Sequence, residues 1–284
     1  LPGWLRRAMV THSKQVGFLG LGAYAPERVM TNADLEKLVD TSDEWIWTRT
    51  GIRERRMVAE NQTTADMATE AGRAAIADAR LTPDDIDLII CCTTTPDRLS
   101  PSTACCVQAG LGMKRQSPAF DLAAACTGFV FGASTAAAFI RAGFARHVLV
   151  IGVEAMTRVL DFNDRTTCVL FGDGAGAAVL GPCDPGRGLL GQAMGSDGTG
   201  GELISIPPIG ATVCSGDGER TRRYLTMAGN DVYKFATRIL GPIIEDALRD
   251  AGDGLKPTDL DLIVPHQANV RIIEAAARKL DLPM

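Results

Sequence analysis

The chain has 284 residues, 46% of them hydrophobic, and a formal net charge of −5 at pH 7. That length can bury a large core, as one big domain or two smaller ones. No apolar run is long enough to span a bilayer, and nothing in the composition calls for a nucleic-acid partner.

Residues 1–14 carry basic side chains and no acids, lack a signal-peptide core, and read as a leader or disordered tail. A helix is predicted over 64–79. It runs into the turn Leu81-Thr-Pro-Asp84 and an aspartate-flanked apolar strand ending at Ile90. Residues 249–264 echo that pattern, with a helix over 231–251, a Lys-Pro-Thr turn and the run Asp261-Leu-Ile-Val264. Alternating helices and apolar strands predict an α/β fold with layered sheets. Two related halves result, 15–182 and 183–284, parted by the turn-forming run Gly-Pro-Cys-Asp-Pro-Gly-Arg-Gly at 181–188. Eight cysteines are scattered, with Cys91–Cys92 and Cys105–Cys106 adjacent. No CxxC pair suggests zinc and nothing suggests secretion, so a reducing cytoplasm is expected.

Cys126 stands out, because within 119–129 an apolar strand meets the start of a small-residue helix. A thiol at a helix N-terminus faces the positive end of the helix dipole. That setting can pull its pKa from about 8.5 toward neutral and create a nucleophile. Free backbone N–H groups at the same place can hold an oxyanion. Most free cysteines only pack in a core, so Cys126 needs a partner. His12 lies in the leader and His147 in a helix-to-strand turn. His266 closes a predicted strand at Pro-His-Gln-Ala-Asn, an edge of the kind where α/β sites form. A lone histidine at a strand end is more often structural. With Cys126 at a similar edge, the two read as a Cys–His pair for acyl transfer through a thioester. The glycine-rich run 171–180 leads into a strand and not a helix, so it reads as a tight hairpin and not a dinucleotide loop.

Six segments occur in order: 31–45, 48–54, the Cys126 turn, 171–176, 227–230 and 264–269. Together they resemble β-ketoacyl-acyl-carrier-protein synthase III, the initiating condensing enzymes of fatty-acid synthesis, from about residue 14 to the end. The resemblance implies a thiolase-like fold, two pseudo-symmetric halves in a layered α-β-α-β-α arrangement, and a homodimer. It implies that an acyl-CoA primer loads Cys126, and that malonyl-acyl-carrier protein then loses CO2 and condenses with the acyl group, aided by His266. No metal or cofactor is expected. Trp45 and Arg165 would sandwich the CoA adenine, with Arg49 near the phosphates and Asn269 near the pantetheine arm. A partly buried helix-end aromatic at Trp45, and ion pairing of the arginines with Asp43 or Glu54, are the competing readings. Acetyl-primed members carry a bulky aromatic where this chain has Ser100, so a deeper pocket and a longer or branched primer are expected. Lys234, Arg238, Arg271, Arg278 and Lys279 would dock the acidic carrier protein, the alternative being solvated helix faces.

The family's third catalytic residue, an asparagine in a Gly-Asn-Thr-Ser type motif, has no match here, and neither has its later glycine-rich strand. A partial chain is therefore expected. Two further functions stay open: acyl transfer to small acceptors in secondary metabolism, and a non-catalytic thiolase-fold subunit.

Overall fold

Capped helices alternate with buried apolar strands from residue 16 to residue 182. The computed structural model describes residues 15–114, 116–206, 212–214, 220–222, 224–252 and 254–284; the leader expected at 1–14 lies outside them. The elements run β1 (Val16–Tyr24), β2 (Arg28–Thr31), α1 (Asn32–Leu35), α2 (Asp43–Thr50), β3 (Glu54–Met57) and α3 (Thr64–Asp78). After them come β4 (Leu88–Cys92), α4 (Thr103–Gly110), β5 (Ala119–Leu122), α5 (Gly128–Arg141), β6 (Val148–Ala155) and β7 (Asp173–Pro182).

Five strands form one mixed sheet in the order β1-β7-β6-β4-β5, parallel among β6, β4 and β5 and antiparallel through β7 to β1. Every residue of β4 is buried, as expected of a strand covered on both faces. Alternation along it explains how: Ile89 and Cys91 join Met67, Ile76 and Leu149 under α3 and α4, while Ile90 and Cys92 join Ala133, Ile140 and Val150 under α5. The helix starts are fixed locally. Thr63 and Asp66 form a reciprocal capping box at α3, and the Asp97 carboxylate accepts the Thr64 and Ala65 N–H groups at 2.8 and 3.0 Å. Gly22 lets β1 lie against the α3 backbone, where a Cβ would overlap the Ala71 carbonyl oxygen.

Beyond residue 182 the principal elements are α6 (Gly229–Ala251) and α7 (Val270–Leu280), which pack together, with α7 also reaching α2. The sequence repeat is a repeated turn. Asp85 accepts the Thr82 N–H, and Asp259 accepts the Lys256 N–H, each at 2.8 Å, around short 3-10 turns at Pro83–Asp85 and Pro257–Asp259. The chain leaves the two turns differently. Leu88–Cys92 pairs on both sides, whereas residues 260–269 form no strand, and Leu262 and Val264 are 77% and 76% exposed. The strand expected before His266 is thus absent; among the described residues no neighbouring strand pairs its backbone groups. The hairpin expected at 171–180 is also replaced. Residues 173–182 are one strand paired on both edges. The reversal from β6 falls instead in the preceding loop, where Asp161 and Asp164 accept the Asn163 and Thr166 N–H groups.

Candidate functional site

Strand β5 ends at Leu122 and α5 starts at Gly128; between them a 3-10 turn, Ala125–Thr127, carries Cys126. Ala125 has φ 46°, a left-handed conformation that costs an alanine about 1–2 kcal/mol. The Ala124 carbonyl pins the turn by accepting the Thr127 N–H at 3.1 Å and its hydroxyl at 2.7 Å. Helix α5 is seated tightly on the sheet: a Cβ at Gly128 would lie 3.1 Å from Cys92 Cβ, and Phe129 packs over Gly152. The result is an exposed residue, Cys126, at the C-terminal end of the parallel strands, with its sulfur partly shielded from water.

The thiol departs from expectation in one respect. Its pKa is raised and not lowered, because desolvation outweighs the help of its own backbone N–H, and the Glu154 charge adds to the rise. Alkylation of Cys126 by iodoacetamide should therefore keep climbing with pH past the ordinary thiol range. A rate already level at pH 7 would show instead a thiolate stabilised in the free protein.

Glu154, which sequence reasoning missed, lies on the same face of β6 as Gly152, against which Phe129 packs. Its carboxylate accepts the Thr94 N–H at 2.8 Å and the Thr94 and Thr95 hydroxyls at 2.9 and 2.5 Å. Desolvation still holds its pKa above the ordinary value. An acid near the end of an otherwise apolar buried strand was the available signal.

His266 lies in the irregular stretch before α7, and desolvation lowers its imidazole pKa, favouring the neutral ring. No hydrogen bond among the described residues joins His266 to Cys126, so the two groups are not brought together as a bonded pair. Asn269 caps α7, its Oδ1 accepting the Arg271 N–H at 2.9 Å. Ser100 is exposed in the loop before α4.

Three predicted residues do converge. The Arg49 and Arg165 guanidinium carbons stand 4.8 and 5.3 Å from the Trp45 ring centroid. Neither carboxylate that competed with this reading takes an arginine of the cluster: Asp43 accepts from Asn32 and Glu54 lies 3.7 Å from Arg56. Arg165 is nonetheless ion-paired, to Asp40, lying 3.6 Å from its carboxylate and donating to its carbonyl at 2.6 Å. Of the basic residues on α6 and α7, Lys234 pairs with Asp231 at 2.9 Å and Arg278 with Glu274 at 4.0 Å. Lys279 donates to the Thr237 carbonyl at 2.6 Å; hydrogen bonds from Thr199 hold the Asp197 carboxyl below its usual range, with a smaller contribution from the Arg238 charge. Arg271 reaches away from that face to the Thr48 carbonyl at 3.1 Å, beside Arg49. Among the described residues no helix is long and apolar enough to cross a membrane, and no cluster of side chains could hold a metal ion.

Comparison with known proteins points to one family. A family model for 3-oxoacyl-[acyl-carrier-protein (ACP)] synthase III matches residues 120–198, and the model of its C-terminal part matches 251–284. The beta-ketoacyl-[acyl-carrier-protein] synthase III of Xanthomonas campestris pv. campestris is 52% identical over 265 residues, 93% of this chain and 80% of the relative. That of Caldanaerobacter subterraneus subsp. tengcongensis is 48% identical over 268 residues, 94% of this chain and 80% of the relative. The crystal structure of 3-oxoacyl-[acyl-carrier-protein] synthase III from Aquifex aeolicus superposes with a TM-score of 0.85 at 44% identity, covering 94% of this chain and 82% of that one.

Proposed function

This chain belongs to the 3-oxoacyl-[acyl-carrier-protein] synthase III family, and on that premise we propose how its residues divide the condensation of an acyl-CoA with malonyl-acyl-carrier protein. The family reaction starts fatty-acid synthesis and makes the chain an acyltransferase of the thiolase-like α/β fold. The observation that carries the assignment of roles is Cys126, an exposed residue on a strained turn at the head of α5.

In the first half-reaction the Cys126 sulfur attacks the acyl-CoA thioester carbonyl and gives up its proton, the C–S bond to CoA breaks, the CoA sulfur leaves with that proton as the free thiol, and the acyl group stays on Cys126. The Cys126 backbone N–H is the donor for the oxyanion that forms on the way. In the second, the malonyl carboxylate leaves as CO2 and its electron pair becomes an enolate, whose carbon attacks the acyl carbonyl and expels the cysteine sulfur. Neutral His266 donates a hydrogen bond to the enolate oxygen, a role supported by its lowered pKa. Because malonyl loses CO2 and not a proton, the step calls for no metal or cofactor. Trp45, Arg49 and Arg165 hold the nucleotide end of CoA, supported by their clustering. Asn269 lies at the pantetheine arm. Lys234, Arg238, Arg278 and Lys279 receive the carrier protein, with Arg271 between the two sites. A cytoplasmic homodimer completes the reading. Mixing the acyl-loaded protein with malonyl-acyl-carrier protein should release one CO2 per acyl group consumed; acyl loss without CO2 would rule the condensation out.

Ser100 sets the primer length by leaving the end of the acyl pocket open. Ser100→Phe should then lower kcat/KM for longer acyl-CoAs about fourfold per methylene displaced, the worth of about 0.8 kcal/mol each, and spare acetyl-CoA. An unaltered protein that already prefers acetyl-CoA would refute this.

A further inference from the structure

Arg55 is a buried cation that the chemistry above leaves without a task. It lies on β3, 5% exposed, alternating with Met57 on the inward side. Among the described residues no carboxylate forms an ion pair with it, its Nε has no hydrogen-bond partner, and desolvation lowers its pKa. Burying a guanidinium on such terms is costly, so the donors on its two terminal nitrogens matter.

Those donors reach two different elements. Nη1 donates to Asn32 Oδ1 at 2.7 Å, and Nη2 to the Val169 carbonyl at 2.6 Å. Asn32 passes the first contact on: its Nδ2 donates to Asp43 Oδ1 at 2.7 Å and to the Ile52 carbonyl at 2.9 Å. Asp43 opens α2, and Ile52 comes directly after the Gly51 that caps its other end. Arg55 and Asn32 therefore tie down both ends of the helix that bears Trp45 and Arg49. Val169 stands four residues after Arg165 in the segment that brings the second guanidinium to the Trp45 ring. One buried side chain thus fixes both elements that meet at Trp45.

We infer that Arg55 is a positioning residue for the nucleotide end of CoA, holding α2 and the segment carrying Arg165 at the spacing at which Trp45, Arg49 and Arg165 cluster. The inference rests on the acyl-CoA reading above and deepens it. It predicts that disturbing Arg55 weakens recognition of the nucleotide more than it weakens chemistry at Cys126.

The test compares two acyl donors by intact-mass measurement of Cys126 acylation: acetyl-CoA, and the acetyl thioester of N-acetylcysteamine, which lacks the nucleotide. Arg55→Met and Asn32→Ala should raise KM for acetyl-CoA about tenfold more than KM for the short thioester, roughly one contact's worth of binding. Asp43→Ala, an exposed position that removes one strut without touching the core, should give the same split, smaller, and keeps the test open should a buried variant not fold. Equal losses on both donors in folded variants would overturn the inference and leave Arg55 a support of the fold alone. An unaltered protein that takes no acyl group from acetyl-CoA or from a longer acyl-CoA would overturn the acyl-CoA reading and this inference with it. Acylation by both donors with no split among the variants would overturn only the inference.

Discussion

Cys126→Ala is expected to abolish the acyl adduct formed from acyl-CoA and to lower condensation at least ~1,000-fold, because the covalent intermediate has no other place to form. The neighbouring thiols cannot take over. Cys92 is 4% exposed, and burial pushes its pKa up to about 12; Cys91 is fully buried, and burial holds its thiol well above the ordinary range. Cys105 is exposed but lies on α4, with its Sγ near the Ala119 carbonyl at 3.7 Å. Cys105→Ala should therefore leave the adduct in place, which makes it the control. The turn also fixes what a milder change would do. Cys126→Ser keeps the shape and the backbone N–H groups but supplies a hydroxyl with no bonded base, so it too should form no adduct. An adduct that survives Cys126→Ala would move the nucleophile elsewhere and break the link between this turn and the chemistry.

Where the chain wrote its structure in local patterns, the pattern sufficed. The apolar strand expected to end at Ile90, which runs on to Cys92, the helix from Thr64 and the paired Pro-centred turns all form as their residues dictate. The readings that missed depend on what stands opposite. Residues 171–180 look like a hairpin because glycines permit one, yet neighbours on both edges make 173–182 a strand. The run before His266 looks like a strand, but no partner pairs it among the described residues. At Cys126 the sequence places the thiol at a helix start but not the desolvation and the Glu154 charge that raise its pKa. Trp45, Arg49 and Arg165 were legible only through the resemblance, since Arg165 is more than a hundred residues from its ring. Arg55 was legible in principle: in the run Glu54-Arg-Arg-Met57 a period of two puts Arg55 on the side of Met57. Nothing local says that this side is the core.

His266→Ala should separate the two half-reactions. Removing the donor to the enolate oxygen should slow condensation about 100- to 1,000-fold, the usual effect of deleting one oxyanion contact. Acylation of Cys126 should change little, because no hydrogen bond joins the imidazole to the thiol, whose raised pKa traces to desolvation and Glu154. The histidine also leaves a mark on stability that alanine would erase. Its folded pKa lies below the ordinary 6.5, so the unfolded chain binds the proton more readily. Stability tied to the neutral ring is present above pH 6.5 and is lost as pH falls through the folded value. A denaturation midpoint that drops between pH 7.5 and 5.5 should drop less in His266→Ala. If the variant instead loses acylation and condensation alike, His266 acts on the Cys126 proton. The two segments would then have to approach each other when substrate binds.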